Sequence, residues 1–301
     1  MNVWKTVAMR PSRPLHTVVL GDEQKEQLLS DIGEYLQPHT RQWYAVRGIP
    51  YRRGYLFFGP PGTGKTSLAF AIAGFFGLDV YCVSLAEPTI SEEDLVSLFD
   101  ELPVQCLVLL EDVDSAGLVV RRGKAPKVDN PRHMPGPDSR DDDSNSQTNG
   151  ISLSGLLNVI DGIASQEGRV LIMTTNHVSS LDAALLRPGR VDLRVPFELA
   201  SGKQAEDLFL QTFTDTDSED PEKSKGMDVK EKCELEDMAR KFAAEIPDKA
   251  LSPAEIQGFL MNWKKKPADA VAKVKEWVEE NMNKADAPPS KMVNGNHLPS
   301  R

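Results

Sequence analysis

The spacing of the apolar positions changes near residue 54. Before that point, apolar residues recur at helical spacing and predict an amphipathic helix within residues 22–37: Leu28, Leu29, Ile32, Tyr35 and Leu36. After it, short apolar runs alternate with helical segments, and the runs are Tyr55–Phe58, Val80–Leu85, Leu107–Leu110, Val170–Thr174 and Leu193–Phe197. Runs that are apolar along their whole length are typical of parallel strands covered by helices on both faces. The pattern therefore predicts an α/β fold whose first four strands lie in a doubly wound parallel sheet.

Chain length and two polar stretches predict how the chain is divided. Its 301 residues are enough for one large domain and one smaller one. Ser252, Pro253 and Glu255 predict a capping box at the start of a late helix. Stretches rich in proline and charge cannot bury enough apolar surface to fold alone. The predicted parts are a lead-in with the first helix at 1–53, an α/β core at 54–200 with a disordered insertion at 121–150, a helical region at 201–282 with a polar insertion at 215–230, and a disordered tail at 283–301.

Composition narrows the classes of function. The net charge is −10 and the sequence pI is about 5.1. No overall basic field would therefore attract the phosphates of a nucleic acid, and we expect no nucleic-acid partner. Cys82, Cys106 and Cys233 form no CxxC pair and no metal-binding spacing, which favours free thiols. No apolar run approaches the ~18 residues that a membrane span needs. We therefore expect no transmembrane helix within this chain.

The residues after the first predicted strand form a phosphate-binding loop. They read Gly-Pro-Pro-Gly-Thr-Gly-Lys-Thr and match G-x-x-x-x-G-K-[ST], with a helical segment following. Gly62 and Gly64 let backbone amides point inward, and the helix start adds its positive end. Lys65 supplies a charge for the β- and γ-phosphates, and the Thr66 hydroxyl binds Mg²⁺. The sequence thus predicts ATP and Mg²⁺ as cofactors, bound through Gly59, Pro60, Pro61, Gly62, Thr63, Gly64, Lys65, Thr66 and Ser67.

Polar residues at the ends of two later strands predict the hydrolytic groups. Ligands lie at the carboxyl ends of the strands in a doubly wound sheet. Glu111 directly follows an apolar run, so we assign it to the metal together with Thr66, and we assign Asp112 to activation of water. This order reverses the usual Asp-then-Glu pair. Asp114 either supports the metal site or caps a helix, and Asn176 is predicted to position the attacking water against the γ-phosphate.

Two arginines near residue 190 predict a contribution to a neighbouring site. Arg187 and Arg190 are three positions apart in the run Leu185–Asp192. Rigid guanidinium groups suit stabilisation of γ-phosphate charge, and the alternative is a pair of surface arginines with local ion pairs. The predicted catalytic residues are therefore Lys65, Glu111, Asp112, Asn176, Arg187 and Arg190.

Together these motifs resemble a known family. The set GPPGTGKT, LLEDVD, TTN and DAALLRPGRVD resembles the AAA ATPases. Three further segments resemble the Bcs-one-type subfamily, the mitochondrial chaperones that assemble respiratory complex III: Arg47–Leu56, Leu153–Asn158 with Asp161-Gly162, and Leu251–Gln257. The resemblance runs from about residue 4 to about residue 280, apart from the two polar insertions. It implies a P-loop NTPase sheet of the AAA type with a small C-terminal helical lid, and the Glu-Asp order is itself a feature of this subfamily.

The resemblance also implies partners and a location. It implies a homo-oligomeric ring with ATP between subunits, Arg187 and Arg190 as arginine fingers, Asn176 as the first sensor and a mitochondrial, inner-membrane-associated chaperone. Members carry an N-terminal transmembrane helix, so we expect membrane contact only through a region that this chain lacks. The stretch Leu85–Thr89 has no aromatic residue to hold a threaded peptide, which favours a folded protein client. The alternatives are an ATP-binding regulatory subunit without turnover of its own and, less favoured, a small-molecule kinase.

Overall fold

The structure is a computed structural model that describes residue 4 and residues 13–18, 20–85, 90–115, 151–161, 167–214 and 229–285. It forms two compact units, Met1–Glu198 and Leu199–Arg301. The predicted insertion at 121–150 and most of the predicted insertion at 215–230 lie outside the described residues. So do residues 86–89, on which the expectation about a peptide-holding aromatic residue rests.

A parallel sheet forms the centre of the first unit. Within the described residues its strands are β1 (Arg53–Phe58), β2 (Val80–Ser84), β3 (Leu107–Glu111), β4 (Val170–Thr175) and β5 (Leu193–Pro196). Their order is β2-β3-β4-β1-β5, and every adjacent pair is parallel. Because β1 inserts between β4 and β5, the chain winds in both directions from the first strand. The predicted doubly wound α/β fold is confirmed, and the fifth apolar run also joins this sheet.

Helices cover both faces of the sheet because the strand side chains alternate. The first unit contains α1 (Asp22–Tyr35), α2 (Pro38–Val46), α3 (Lys65–Phe76), α4 (Glu92–Asp100) and α5 (Leu153–Asp161), and short 3-10 helices at Leu15–Thr17 and Val178–Ser180. Tyr55 and Phe57 belong to the core that includes α1 and α3, whereas Leu56 belongs to the core that includes α4 and α5. Two hydrophobic layers thus hold the sheet between them.

A polar cluster fixes α1 to the start of β1. Arg53 pairs with the carboxylate of Asp31, with Nε 3.0 Å from Oδ2, and the Tyr55 hydroxyl donates to the same Oδ2 at 2.7 Å. Tyr55 is fully buried, and burial, followed by the charge of Asp31, raises the pKa of its hydroxyl. A buried hydroxyl needs such a partner, so this contact orients the lead-in helix against the strand that enters the phosphate loop.

The second unit is helical in its described residues: α6 (Gly202–Phe213), α7 (Val229–Ala244), α8 (Pro253–Met261) and α9 (Pro267–Ala285). The predicted capping box is confirmed, because Ser252 Oγ accepts from the Glu255 amide while Glu255 accepts from the Ser252 amide. Aromatic rings fill the centre of this unit: Phe209, Phe213, Phe242, Phe259 and Trp277. Helix α7 begins inside the predicted polar stretch, at Val229, and α9 continues into the predicted tail as far as Ala285.

A glycine at the start of β1 allows a close backbone contact. A Cβ placed on Gly54 would lie 1.8 Å from the carbonyl oxygen of Arg190. We expect Gly54→Ala to lower the free energy of unfolding by about 3 kcal/mol, because backbone on both sides must move. The matched control is Gly33→Ala in α1, where the new Cβ would meet Phe76 at 3.6 Å, an ordinary contact. Chemical denaturation measures both, and equal stability of the two variants would contradict the expectation.

Candidate nucleotide site

The loop between β1 and α3 turns sharply at glycines. Gly59, Gly62 and Gly64 have φ values of 144°, 75° and 97°, a region that favours glycine. Gly59 also approaches the next strand end closely, since a Cβ there would lie 1.9 Å from the carbonyl oxygen of Phe197. Thr63 Oγ1 donates to the Pro60 carbonyl at 2.8 Å and closes the turn. The loop is therefore fixed before α3 begins.

Lys65 lies buried at the start of α3. Its ammonium donates to the carbonyl oxygens of Gly59 and Pro60 and to Asn176 Oδ1, each at 2.8 Å. Burial lowers the pKa of this ammonium, while the charges of Asp112 and, less strongly, Asp114 raise it. The lysine thus joins the loop to the end of β4.

Glu111 and Thr66 provide neighbouring oxygen atoms. Thr66 Oγ1 donates to Glu111 Oε1 at 2.8 Å, and the Cys82 thiol donates to Glu111 Oε2 at 3.3 Å. Burial, followed by the charge of Glu111, raises the pKa of the Cys82 thiol to about 12. Oxygen donors of this kind suit Mg²⁺, which commonly uses one or two carboxylates plus substrate phosphates. Among the described residues no group of three or more His, Cys, Asp or Glu could hold a metal alone.

Asp112 and Asn176 lie at the ends of neighbouring strands. Asp112 has φ 46°, so the chain leaves β3 through a left-handed residue and exposes this side chain. Its amide donates to Thr174 Oγ1 at 3.1 Å, and Asn176 Nδ2 lies 3.3 Å from Asp112 Oδ1. Asn176 therefore contacts both Lys65 and Asp112. The structure brings five predicted residues together at this edge of the sheet: Lys65, Thr66, Glu111, Asp112 and Asn176.

Asp114 supports the end of β4. Its Oδ1 accepts a hydrogen bond from Thr175 Oγ1 at 2.8 Å and one from the Asn176 amide at 3.3 Å. The carboxylate therefore positions the residue that reaches Lys65. The alternative role, as a helix cap, concerns residues from 116 onward that lie outside the described ranges. Sequence reasoning did not place Cys82 or Thr175 in the site, because their partners, Glu111 and Asp114, belong to β3 and to the residues that follow it.

The two arginines differ in their surroundings. Arg187 is exposed, whereas Arg190 Nε pairs with Asp161 Oδ2 at 2.7 Å and Nη1 donates to the Ala184 carbonyl at 2.6 Å. Within the described parts of the chain, no hydrogen bond or ion pair joins either arginine to the Lys65 cluster. Asp192 fixes their loop, since it accepts from the amides of Gly54 and Gly189 at 3.0 and 2.9 Å.

Fold and site define a class of protein. A parallel sheet, a glycine loop that runs from its first strand into a helix, and carboxylates at the end of β3 are the marks of P-loop nucleotide-binding proteins.

Comparison with known proteins identifies the family. Residues 55–199 match "ATPase family associated with various cellular activities (AAA)", and residues 202–276 match "Mitochondrial chaperone BCS1-like, ATPase lid domain". The chain belongs to the AAA ATPases of the BCS1 type, and the family resemblance of its motifs is confirmed. Its first unit contains the nucleotide-binding AAA domain, and its second unit contains the lid.

Curated relatives extend across most of this chain. The mitochondrial chaperone BCS1 of Homo sapiens is 36% identical over 264 residues, which cover 87% of this chain and 55% of that protein. The probable mitochondrial chaperone BCS1-B of Dictyostelium discoideum is 34% identical over 280 residues, 90% of this chain and 56% of that protein. The probable mitochondrial chaperone bcs1 of Schizosaccharomyces pombe is 36% identical over 267 residues, 89% and 51% respectively. The chain thus spans about half the length of the relatives it matches. None of the helices in its described segments is long and apolar enough to cross a membrane.

The contacts of Asp114 generate a prediction about stability. Asp114→Ala removes the acceptor for a fully buried Thr175 hydroxyl and should lower the free energy of unfolding by about 1–3 kcal/mol. Asp114→Asn retains an amide oxygen that can accept the same bond and should lose less. Urea denaturation of both variants measures the difference. Equal losses in the two variants would show that the negative charge, and not the acceptor, is what matters here.

Proposed function

We propose that this chain hydrolyses ATP, with Lys65 on the β- and γ-phosphates and Asp112 as the base that activates water. Asn176 positions that water and senses the γ-phosphate. The glycine loop from Gly59 to Ser67 surrounds the remaining phosphates with its amides. Because Asp112 is exposed at the end of β3 while Glu111 is held by Thr66, the two acids have the separate surroundings that separate roles require.

One observation carries this proposal: Asn176 contacts both Lys65, at 2.8 Å, and Asp112, at 3.3 Å. The lysine marks where the terminal phosphates bind, and the aspartate marks where water must be deprotonated. A side chain that touches both lies between phosphate and base. Its amide has a donor and an acceptor, so it suits a water molecule that must be held in line with the γ-phosphate.

We further propose that Mg²⁺ binds through Thr66 and Glu111. The site combines one lysine with carboxylates at Glu111, Asp112 and Asp114, so a triphosphate adds negative charge to an edge that is already acidic. A divalent cation offsets this repulsion and, when bound, stabilises charge on the β- and γ-phosphate oxygens. Thr66 and Glu111 place their oxygen atoms 2.8 Å apart, which suits two neighbouring ligands of one ion.

Arg187 and Arg190 are proposed to act on the site of a neighbouring subunit in a homo-oligomeric ring. Arg187 is exposed and free to reach a second chain, and Arg190 is oriented by Asp161 and the Ala184 carbonyl. AAA domains usually assemble into oligomers, and an arginine finger in trans contributes about 10³–10⁵ in rate. We assign direct contact with γ-phosphate to both residues.

The ring is proposed to remodel or move a folded protein client in mitochondria. The relatives that share the AAA domain and the lid are named mitochondrial chaperones. Loss of γ-phosphate contacts at Asn176 would change the contacts of β4, and a ring can convert such a change into movement. An ATP-binding subunit without turnover of its own is the second candidate.

Two substitutions separate binding from hydrolysis. Lys65→Ala should weaken ATP binding at least about tenfold, because it removes the buried charge that meets the phosphates. Asp112→Asn should retain ATP affinity and lower turnover by about 10²–10⁴-fold, the usual contribution of a general base. Calorimetry and phosphate release measure the two effects. Normal turnover in the asparagine variant would move the base to another residue.

Mixed rings test whether the arginines act in trans. A subunit with Arg187→Ala still carries Asp112, and a subunit with Asp112→Asn still carries Arg187. Both variants should be nearly inactive alone, and a mixture should recover turnover, because an intact site then meets an intact arginine across the interface. A mixture of Arg187→Ala with the double variant Arg187→Ala/Asp112→Asn is the matched control and should stay inactive. No recovery of turnover in the first mixture would place the role of Arg187 within its own subunit. If the wild-type chain binds ATP but shows no turnover in any ring, the regulatory candidate is favoured.

A further inference from the structure

We propose that Arg13, in the lead-in segment, is a nucleotide-binding residue whose guanidinium contacts the α-phosphate beside the first turn of α3. The inference rests on nucleotide binding by the glycine loop, as proposed above. Its basis is a hydrogen bond of 2.9 Å from Arg13 Nη1 to Ser67 Oγ. Ser67 follows Lys65 and Thr66 in the first turn of α3. The guanidinium is therefore fixed at the rim of the phosphate loop.

The chain around Arg13 is held against the loop by several contacts. The 3-10 helix Leu15–Thr17 contacts α3, and Leu15 packs on the hydrophobic core that includes α3. Val18 is 3% exposed, and its Cγ1 lies 4.0 Å from the position of a Cβ on Gly64. Lys25 Nζ donates to the Val18 carbonyl at 3.0 Å. The position of Arg13 therefore follows from packing of the segment and does not depend on its own hydrogen bond alone.

Neighbouring groups also orient the guanidinium. Arg13 Nε donates to Thr17 Oγ1 at 3.0 Å, and Nη2 donates to the Thr17 carbonyl at 3.2 Å. Each terminal nitrogen carries a further N–H beyond these bonds. Across the described ranges no carboxylate pairs with Arg13, so the contacts that orient its positive charge leave that charge unneutralised. A fixed cation with remaining donors is prepared to bind an anion.

The neighbouring helix start indicates which anion fits. The first turn of a helix presents unpaired amides and a partial positive charge, and in P-loop proteins it receives the α- and β-phosphates. Lys65 serves the β- and γ-phosphates, and Ser67 lies two residues further along the helix. A guanidinium on Ser67 Oγ is thus placed for the phosphate nearest the nucleoside. ATP and ADP share that phosphate, so the contact should support both equally.

Calorimetry with Mg²⁺ on the full chain tests this. Arg13→Ala should weaken the affinity for ADP and for a non-hydrolysable ATP analogue by the same factor, about tenfold, as expected for loss of a charge-assisted hydrogen bond. Arg13→Lys retains the charge without the planar fork and should lose less. Arg41→Ala, at an exposed arginine of α2, is the control and should retain wild-type affinity. If Arg13→Ala fails to fold, Arg13→Lys provides the comparison, and its loss must again be equal for both nucleotides.

A double-mutant cycle separates phosphate contact from support of Ser67. If Arg13 contacts phosphate, Arg13→Ala should still weaken ADP binding when it is made in a Ser67→Ala chain. No further loss in that background would overturn the inference, because Arg13 would then act through the serine. Wild-type affinity in Arg13→Ala would overturn it as well and leave ATP binding standing. Failure of the wild-type chain to bind either nucleotide would remove the proposed function and this inference together.

Discussion

The candidate site depends on how the charge of Lys65 is accommodated below the surface. A buried cation is costly unless oxygen atoms surround it, and here the carbonyls of Gly59 and Pro60 and the amide oxygen of Asn176 do so. The carbonyls are available because the glycine-bent loop turns them inward. Asn176 is available because it ends the strand next to β1. Stabilisation of the buried Lys65 ammonium therefore depends on both the conformation of the loop and the order of the strands.

The same edge of the sheet is held by contacts between strand ends. Gly59 lies against the Phe197 carbonyl, and Asp114 accepts hydrogen bonds from the end of β4. At the opposite end of β1, Gly54 donates to Asp192, whose other oxygen fixes the loop that carries the arginines. A single strand thus has the phosphate loop at one end and the arginine loop at the other. The residues proposed for the chain's own site and those proposed for a neighbour's site are in this way placed relative to one strand.

Sequence reasoning reached the fold and much of the site because those features are local. Apolar runs give strands, and a glycine loop between strand and helix gives Gly59–Thr66. The prediction of different roles for Glu111 and Asp112 needed only the observation that Glu111 directly follows an apolar run. The partners of these residues could not be predicted from local patterns. The Cys82–Glu111 contact and the Asp161–Arg190 contact each join residues that are 29 positions apart in the chain. Arg13 likewise appears in the sequence as one basic residue near the start, and the tertiary fold places it on Ser67 across 54 positions.

The contacts of Asn176 also determine which way its amide points. Lys65 can only donate, so the atom that meets it must be the carbonyl oxygen, and the amide nitrogen is left for the Asp112 carboxylate, which can only accept. Phosphate oxygens entering the loop would compete with the carbonyls and with Asn176 for the same ammonium. Any shift of Lys65 toward phosphate therefore changes the hydrogen bonding of Asn176, and with it the position of the amide nitrogen that faces Asp112. The presence of phosphate and the geometry at Asp112 are thus linked through one side chain.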